Sequence, residues 1–161
     1  MSSGLQCVGV IGPTNAPLHV TTYGDAANDA NAFLHTLHCA LDEVELRGGG
    51  GAGASGSGDA NSTTTATHGQ PSPQPQSSQI TKDPFLGLIL PTESYKVYAY
   101  KTNTRAVFLL VYDDTVEVGE VEIRSQFKKI HDAYSNAMSN PFAERNKRIE
   151  SKLFLEVMQR L

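Results

Sequence analysis

Residues 107–111 of this chain, Val-Phe-Leu-Leu-Val, are apolar at every position, and residues 5–11, Leu-Gln-Cys-Val-Gly-Val-Ile, are nearly so. Successive side chains of a β-strand point to opposite faces of its sheet, so a strand apolar at both parities must be covered on both sides. Two such strands demand helices on each face of one sheet. The remaining elements are read within that constraint.

Gly12-Pro13-Thr14-Asn15 is a turn signal. Residues 18–23 then alternate, with Leu18, Val20 and Thr22 expected on one face and His19 and Thr21 on the other; Pro17 at the start suits an edge strand. A helix is expected over 29–46, because Ala30, Phe33, Leu34, Leu37, Leu41 and Val44 recur at three- and four-residue spacing, with Gly48 placed to end it. Residues 85–90, 95–100 and 106–112 read as three strands in a meander, the last joined through Thr102-Asn103-Thr104. Two helical stripes follow. Ile123, Phe127, Ile130, Tyr134 and Met138 make one, stopped by Asn140-Pro141, and Ile149, Leu153, Phe154, Val157, Met158 and Leu161 make the other. The fold class expected is α/β in the α+β sense: a three-layer sandwich with a five-stranded, mainly antiparallel sheet, helix 1 on one face and helices 2 and 3 on the other.

Residues 48–79 contain no Val, Ile, Leu, Met or aromatic side chain. Such a stretch buries too little apolar surface to offset the entropy of ordering it. The organisation expected is one domain over 1–161, interrupted by a disordered insertion at about 48–80. The remaining ~130 residues suffice for one core.

Seventeen acids against thirteen bases argue against a dedicated nucleic-acid binder. Residues 1–47 hold five acids and one base, whereas the chain after Val118 is slightly basic. Two cysteines, Cys7 and Cys39, make neither a disulfide framework nor a metal site. No signal peptide is expected at the N-terminus. The longest apolar runs are about six residues, against the ~20 needed to span a bilayer. A reducing cytosolic compartment is the simplest reading.

Little in the chain suggests catalysis. The Gly-rich tract after Arg47 lacks the lysine of a phosphate loop. His35, His38, Cys39 and Asp42 invite a zinc or hydrolase reading, but triad members usually converge from separate elements, and the spacing alone is weak. No cofactor or metal is expected. With Leu37 at the centre of the buried stripe, 100° steps place His35, His38, Cys39, Asp42 and Leu46 together on the opposite face. A lone carboxylate among imidazoles, a thiol and a leucine has the composition of a partner-binding patch rather than a solvated Lys/Glu surface. Asp42, Glu43 and Glu45 also crowd a helix C-terminus, where the macrodipole disfavours negative charge; His38, one turn before Asp42, offsets part of that. Arg124, Lys128 and His131 form a basic face that suits anionic lipid, although Lys128 is also spaced to pair with Asp132. Asn140-Pro141-Phe142 is the core of a short motif bound by endocytic adaptor domains. Its helix-stopping role outweighs that reading, and Phe142 is expected to pack beneath the final loop.

The order of elements resembles that of longin domains, and three segments tighten the match. Phe85-Leu-Gly-Leu-Ile-Leu-Pro-Thr-Glu-Ser-Tyr-Lys-Val-Tyr-Ala-Tyr100, Glu122-Ile-Arg-Ser-Gln-Phe-Lys-Lys-Ile-His131 with Asn140-Pro-Phe142, and Thr36-Leu-His-Cys-Ala-Leu-Asp42 are similar to the sedlin family of TRAPP membrane-trafficking subunits. The run 90–98 favours one branch of that family over sedlin itself. The resemblance covers nearly everything but 48–79, which stands where the family has a shorter connection. It implies a longin fold and a non-catalytic subunit that helps hold together an assembly tethering vesicles on the endoplasmic reticulum–Golgi route. It also implies contact with a Rab-family GTPase only through the assembled complex, other TRAPP subunits as partners, no nucleic acid, and membrane association that is peripheral. The aspartate matching Asp42 is associated with subunit contacts in the family. Two other functions are set against this one: a sedlin paralogue or free-standing longin domain regulating a membrane-fusion protein, and a small hydrolase using the first-helix cluster.

Overall fold

The computed structural model describes residues 4–24, 30–48, 83–144 and 146–161. The expected start of the first helix at Asp29, the side chain of Ala30, the low-complexity stretch beyond Gly48 and the cation Arg145 lie outside them.

The expected order of elements is present. Strands β1 (Leu5–Ile11) and β2 (Pro17–Thr22) precede helix α1 (Ala30–Gly48); strands β3 (Phe85–Pro91), β4 (Tyr95–Lys101) and β5 (Val107–Asp113) precede helices α2 (Glu120–Met138) and α3 (Lys152–Gln159). The sheet runs β2-β1-β5-β4-β3 with every neighbouring pair antiparallel. The two strands apolar at both parities, β1 and β5, lie side by side near its middle.

Alternation along these strands feeds two separate cores. Val8 and Val10 of β1, with Phe108, Leu110 and Tyr112 of β5, pack under α2 and α3 against Ile123, Phe127, Ile130, Phe154 and Met158. Cys7 and Ile11, with Val107, Leu109 and Val111, pack under α1 against Phe33, Leu37, Ala40, Leu41 and Val44. Helix 1 therefore covers one face and helices 2 and 3 the other. Gly9 permits the close approach of α1: a Cβ there would stand 2.8 Å from Leu37 Cδ1. In the other layer the Tyr112 hydroxyl donates to Gln126 Oε1, and the Tyr23 hydroxyl donates to the carbonyl of Met158. Each bond ties a polar tip left by an otherwise apolar ring.

Two sequence expectations need correction. Leu18 and Val20 do not share a core: Leu18 belongs to the cluster under α2 and α3, while Val20 packs on the α1 side. The β1–β2 register shifts between Val10 and Ile11, where Ile11 opposes Pro17, so the strict alternation fails at the first residues of β2. In the last helix Ile149 precedes α3 rather than lying in it, and is held by its N–H donating to the Leu18 carbonyl at 3.0 Å. Leu153 is 73 % exposed. Phe154 and Met158 point inward at i and i+4 with Leu155 and Val157 packed on either side of them, and Leu153 falls outside that arc and faces water.

His19 is buried, with its ring edge-on to Phe154 at 5.1 Å between centroids. Its Nε2 shares a hydrogen bond with Thr21 Oγ1, and Nδ1 has no partner among the described residues. Burial, and then the charge of Arg148, hold its pKa below the usual histidine value. The unfolded chain therefore binds a proton that the folded chain resists, and stability falls as pH drops below ~6.5. Melting temperature should decline between pH 7.5 and 5.5 more steeply for the parent than for His19→Gln; parallel profiles would show that this imidazole does not titrate with folding.

A second expected result concerns the low-complexity stretch, which holds no Val, Ile, Leu, Met or aromatic side chain. Replacing residues 49–78 by a short flexible linker should move the melting temperature by less than about 3 °C, because no side chain there can contribute apolar burial. A loss well beyond that in a differential scanning experiment would show that the segment packs.

Candidate functional site

The inward stripe of α1 fixes the direction of everything else on that helix. With Phe33, Leu37, Ala40, Leu41 and Val44 against the sheet, His35, His38, Cys39, Asp42 and Leu46 are all exposed. They line one outward face at intervals of three and four residues. Leu46 is 76 % exposed, a large apolar group in water at the end of this row. Cys39 Sγ stands 3.8 Å from His35 Nδ1, the long contact of a weak sulfur hydrogen bond. Cys39 and Cys7 are both free thiols; Cys7 is buried, and burial pushes its pKa up to about 12.

The acidic end of the helix resolves into two satisfied carboxylates and one that is not. Glu43 pairs with Arg47 at 2.8 Å across one helical turn. Glu45 Oε1 accepts from the Asn15 side-chain amide at 3.0 Å. Asp42 has no hydrogen-bond or ion-pair partner among the described residues, and His38 does not supply one. Arg47 also reaches across the layer. Its Nη1 donates to the Leu88 carbonyl at 2.8 Å and its Nη2 to the Ile89 carbonyl at 3.4 Å, tying the helix end to β3. Arg47 also places a cation at the negative end of the helix dipole. The sequence did not mark Asn15 or Arg47 as a partner of these carboxylates, although the Glu43–Arg47 spacing was an available signal.

As a coordination or catalytic site this face is poor. Among the described residues no group of three or more His, Cys, Asp and Glu lies close enough to hold a metal ion. Side chains radiating from one convex helix diverge, whereas a site for chemistry needs donors that converge.

The basic face on α2 divides. Arg124 is engaged within the chain: it pairs with Glu120 at 2.7 Å and Asp83 at 3.0 Å and lies 4.2 Å over the Phe85 ring. A backbone N–H from Phe85, and then Arg124, keep the Asp83 carboxyl below its usual pKa. His131 leans on the rings of Tyr100 and Phe108. Lys128 and Asp132 are exposed and form no ion pair with each other.

At the end of α2 the sequence expectation fails for one residue. The helix stops at Met138 as the Asn140-Pro141 signal requires, but Phe142 does not pack beneath the final loop; it is 90 % exposed. Asn140 folds back on the chain after it, accepting from the N–H of Phe142 through its side chain and from that of Ala143 through its carbonyl. This turn carries the ring outward.

Comparison with known proteins gives a consistent result. The family profile described as Sedlin matches residues 10–161. A trafficking protein particle complex subunit 2-like protein of Dictyostelium discoideum is 31 % identical over 159 residues, covering 98 % of this chain and 95 % of that protein. The protein of the same name from Xenopus tropicalis is 32 % identical over 149 residues, covering 92 % and 89 %. That from Bos taurus is 43 % identical over 74 residues, covering 45 % and 53 %.

Proposed function

Because this chain belongs to the sedlin family, we propose that it is a subunit of the trafficking protein particle complex, of the 2-like kind, acting through protein contacts rather than catalysis. The observation that carries this reading is the end-to-end match to proteins of that name. The outer face of α1 supports it, because it offers a partner an apolar Leu46 and an Asp42 that has no partner among the described residues. His35, His38 and Cys39 complete the contact surface, with imidazoles that both donate and accept.

In this reading the chain helps hold the complex together on the endoplasmic reticulum–Golgi and intra-Golgi routes, as a cytoplasmic subunit. It meets a Rab-family GTPase only through the assembly, and its membrane association is peripheral; no helix among the described residues is long and apolar enough to cross a membrane. Purification of the tagged chain from cells should bring down a stoichiometric set of trafficking-complex subunits. Elution as a lone monomer would overturn the proposal and favour a free-standing regulatory domain.

The isolated subunit is expected to show no GTPase, nucleotide-exchange or hydrolase activity. Exchange on a Rab-family GTPase by the monomeric chain, above the rate of the GTPase alone, would contradict this.

A further inference from the structure

The turn Asn140-Pro141-Phe142 is built as a display. A single exposed apolar side chain needs no explanation, but this one is held out by a closed turn rooted on a helix. The N–H of Phe142 donates to Asn140 Oδ1 at 3.0 Å, and the N–H of Ala143 donates to the Asn140 carbonyl at 2.9 Å. Just before the turn, Ser139 caps α2, donating its N–H at 2.9 Å and its hydroxyl at 2.7 Å to the carbonyl of Ser135. Asn140 and Pro141 are exposed beside the ring, and the amide nitrogen of Asn140 has no partner among the described residues. Behind the ring lies a groove of about 640 Å³ with Ala137, Met138 and Ile149 among its walls.

We propose that this turn is a ligand for a protein domain of the adaptor type, one with an apolar pocket deep enough for a phenyl ring and a hydrogen-bonding group at its mouth for the Asn140 amide. The ring enters the pocket and the pocket's rim seats in the groove. The exposed Asn140 amide and Pro141 beside the ring favour a protein pocket, which can match a hydrogen-bonding group and an apolar one at fixed positions, over a membrane or a nucleic acid. Of the charges along the groove, Glu144 and Lys147 pair with each other at 2.7 Å. Because the bound shape is already fixed by the turn, little ordering remains to oppose binding. The turn extends from α2, whereas Asp42 and Leu46 sit on α1 across the sheet. One chain can therefore hold its complex by one face and recruit an adaptor by the other.

The test is titration calorimetry of the full chain against an isolated adaptor domain known to bind linear Asn-Pro-Phe peptides. The chain should bind, and a linear peptide of residues 138–144 should bind more weakly. Phe142→Ala should weaken binding by at least about tenfold with its melting temperature unchanged, and Asn140→Ala, which also removes the acceptor closing the turn, should weaken it at least as much. Absence of binding by the folded parent, or equal binding by Phe142→Ala, would overturn the proposal. So would loss of trafficking-complex subunits from a Phe142→Ala pull-down, which would make the ring a subunit contact. Flotation of the parent but not Phe142→Ala with anionic vesicles would overturn it too, by making the ring a membrane anchor.

Discussion

Asp42→Tyr is expected to leave the isolated chain folded and to remove it from its complex. The side chain faces water and has no partner among the described residues, so the substitution should change the stability of the lone protein by no more than about 0.5 kcal/mol. Assembly is different. If a partner supplies a cation or donor to this carboxylate, the substitution deletes the pairing and inserts a bulky ring into the contact. Losing one member of a buried charged pair costs about 2–5 kcal/mol of binding, roughly 30-fold to several thousand-fold in affinity. A thermal melt of the purified variant and a pull-down of the other subunits decide the matter. A variant that unfolds alone would make Asp42 structural, and one that assembles normally would leave this face merely solvated.

Phe127→Ala should have the opposite character, a large loss of stability with no specific effect on partners. Phe127 has no exposed surface, and its ring lies 5.9 Å from that of Phe85 and 5.5 Å from that of Tyr100. Tyr100 in turn stacks on Phe108 at 5.8 Å, so the deletion opens a cavity where β3, β4, β5 and α2 meet. Such truncations cost about 3–5 kcal/mol, against a total stability of roughly 5–15 kcal/mol. The melting temperature should drop by about 10–25 °C. Phe142→Ala removes the same atoms from a ring in water and should shift the melt by no more than about 0.5 kcal/mol in free-energy terms. Similar losses in the two variants would mean that Phe142 is packed after all.

The architecture was legible because its signals are local. Double-sided apolarity at 5–11 and 107–111 marked the two middle strands, and the spacing of Phe33, Leu37, Leu41 and Val44 fixed the rotation of α1, hence the outward direction of Asp42. What escaped depends on residues distant in sequence or on backbone hydrogen bonds. Arg47 meets Leu88 41 positions away, and Asn15 meets Glu45 30 positions away; hydropathy carries no trace of either. His19 sits on an edge strand, yet α3, formed from the end of the chain, covers it. Leu153 repeats with the spacing of a core residue, but it falls outside the arc that Phe154, Leu155, Val157 and Met158 turn inward. The direction of Phe142 is set by two hydrogen bonds to Asn140, which a preference for burial does not reveal.

The strand order also has a consequence for how the protein is made. Gly9 of β1 pairs opposite Leu109 of β5, 100 residues later. Ribosomes add about 5–20 residues per second, so the first strand waits roughly 5–20 s after emerging before its central neighbour exists. During that interval β1 can pair only with β2; α1 can cover one of its faces, but Val8 and Val10 on the other stand open to other nascent chains until α2 and α3 are made. Chaperone demand should thus concentrate on the earliest part of the polypeptide. Lengthening the chain between α1 and β3 would extend the wait without altering the finished fold, so yield in the cell and stability in the test tube are governed by different segments of one sequence.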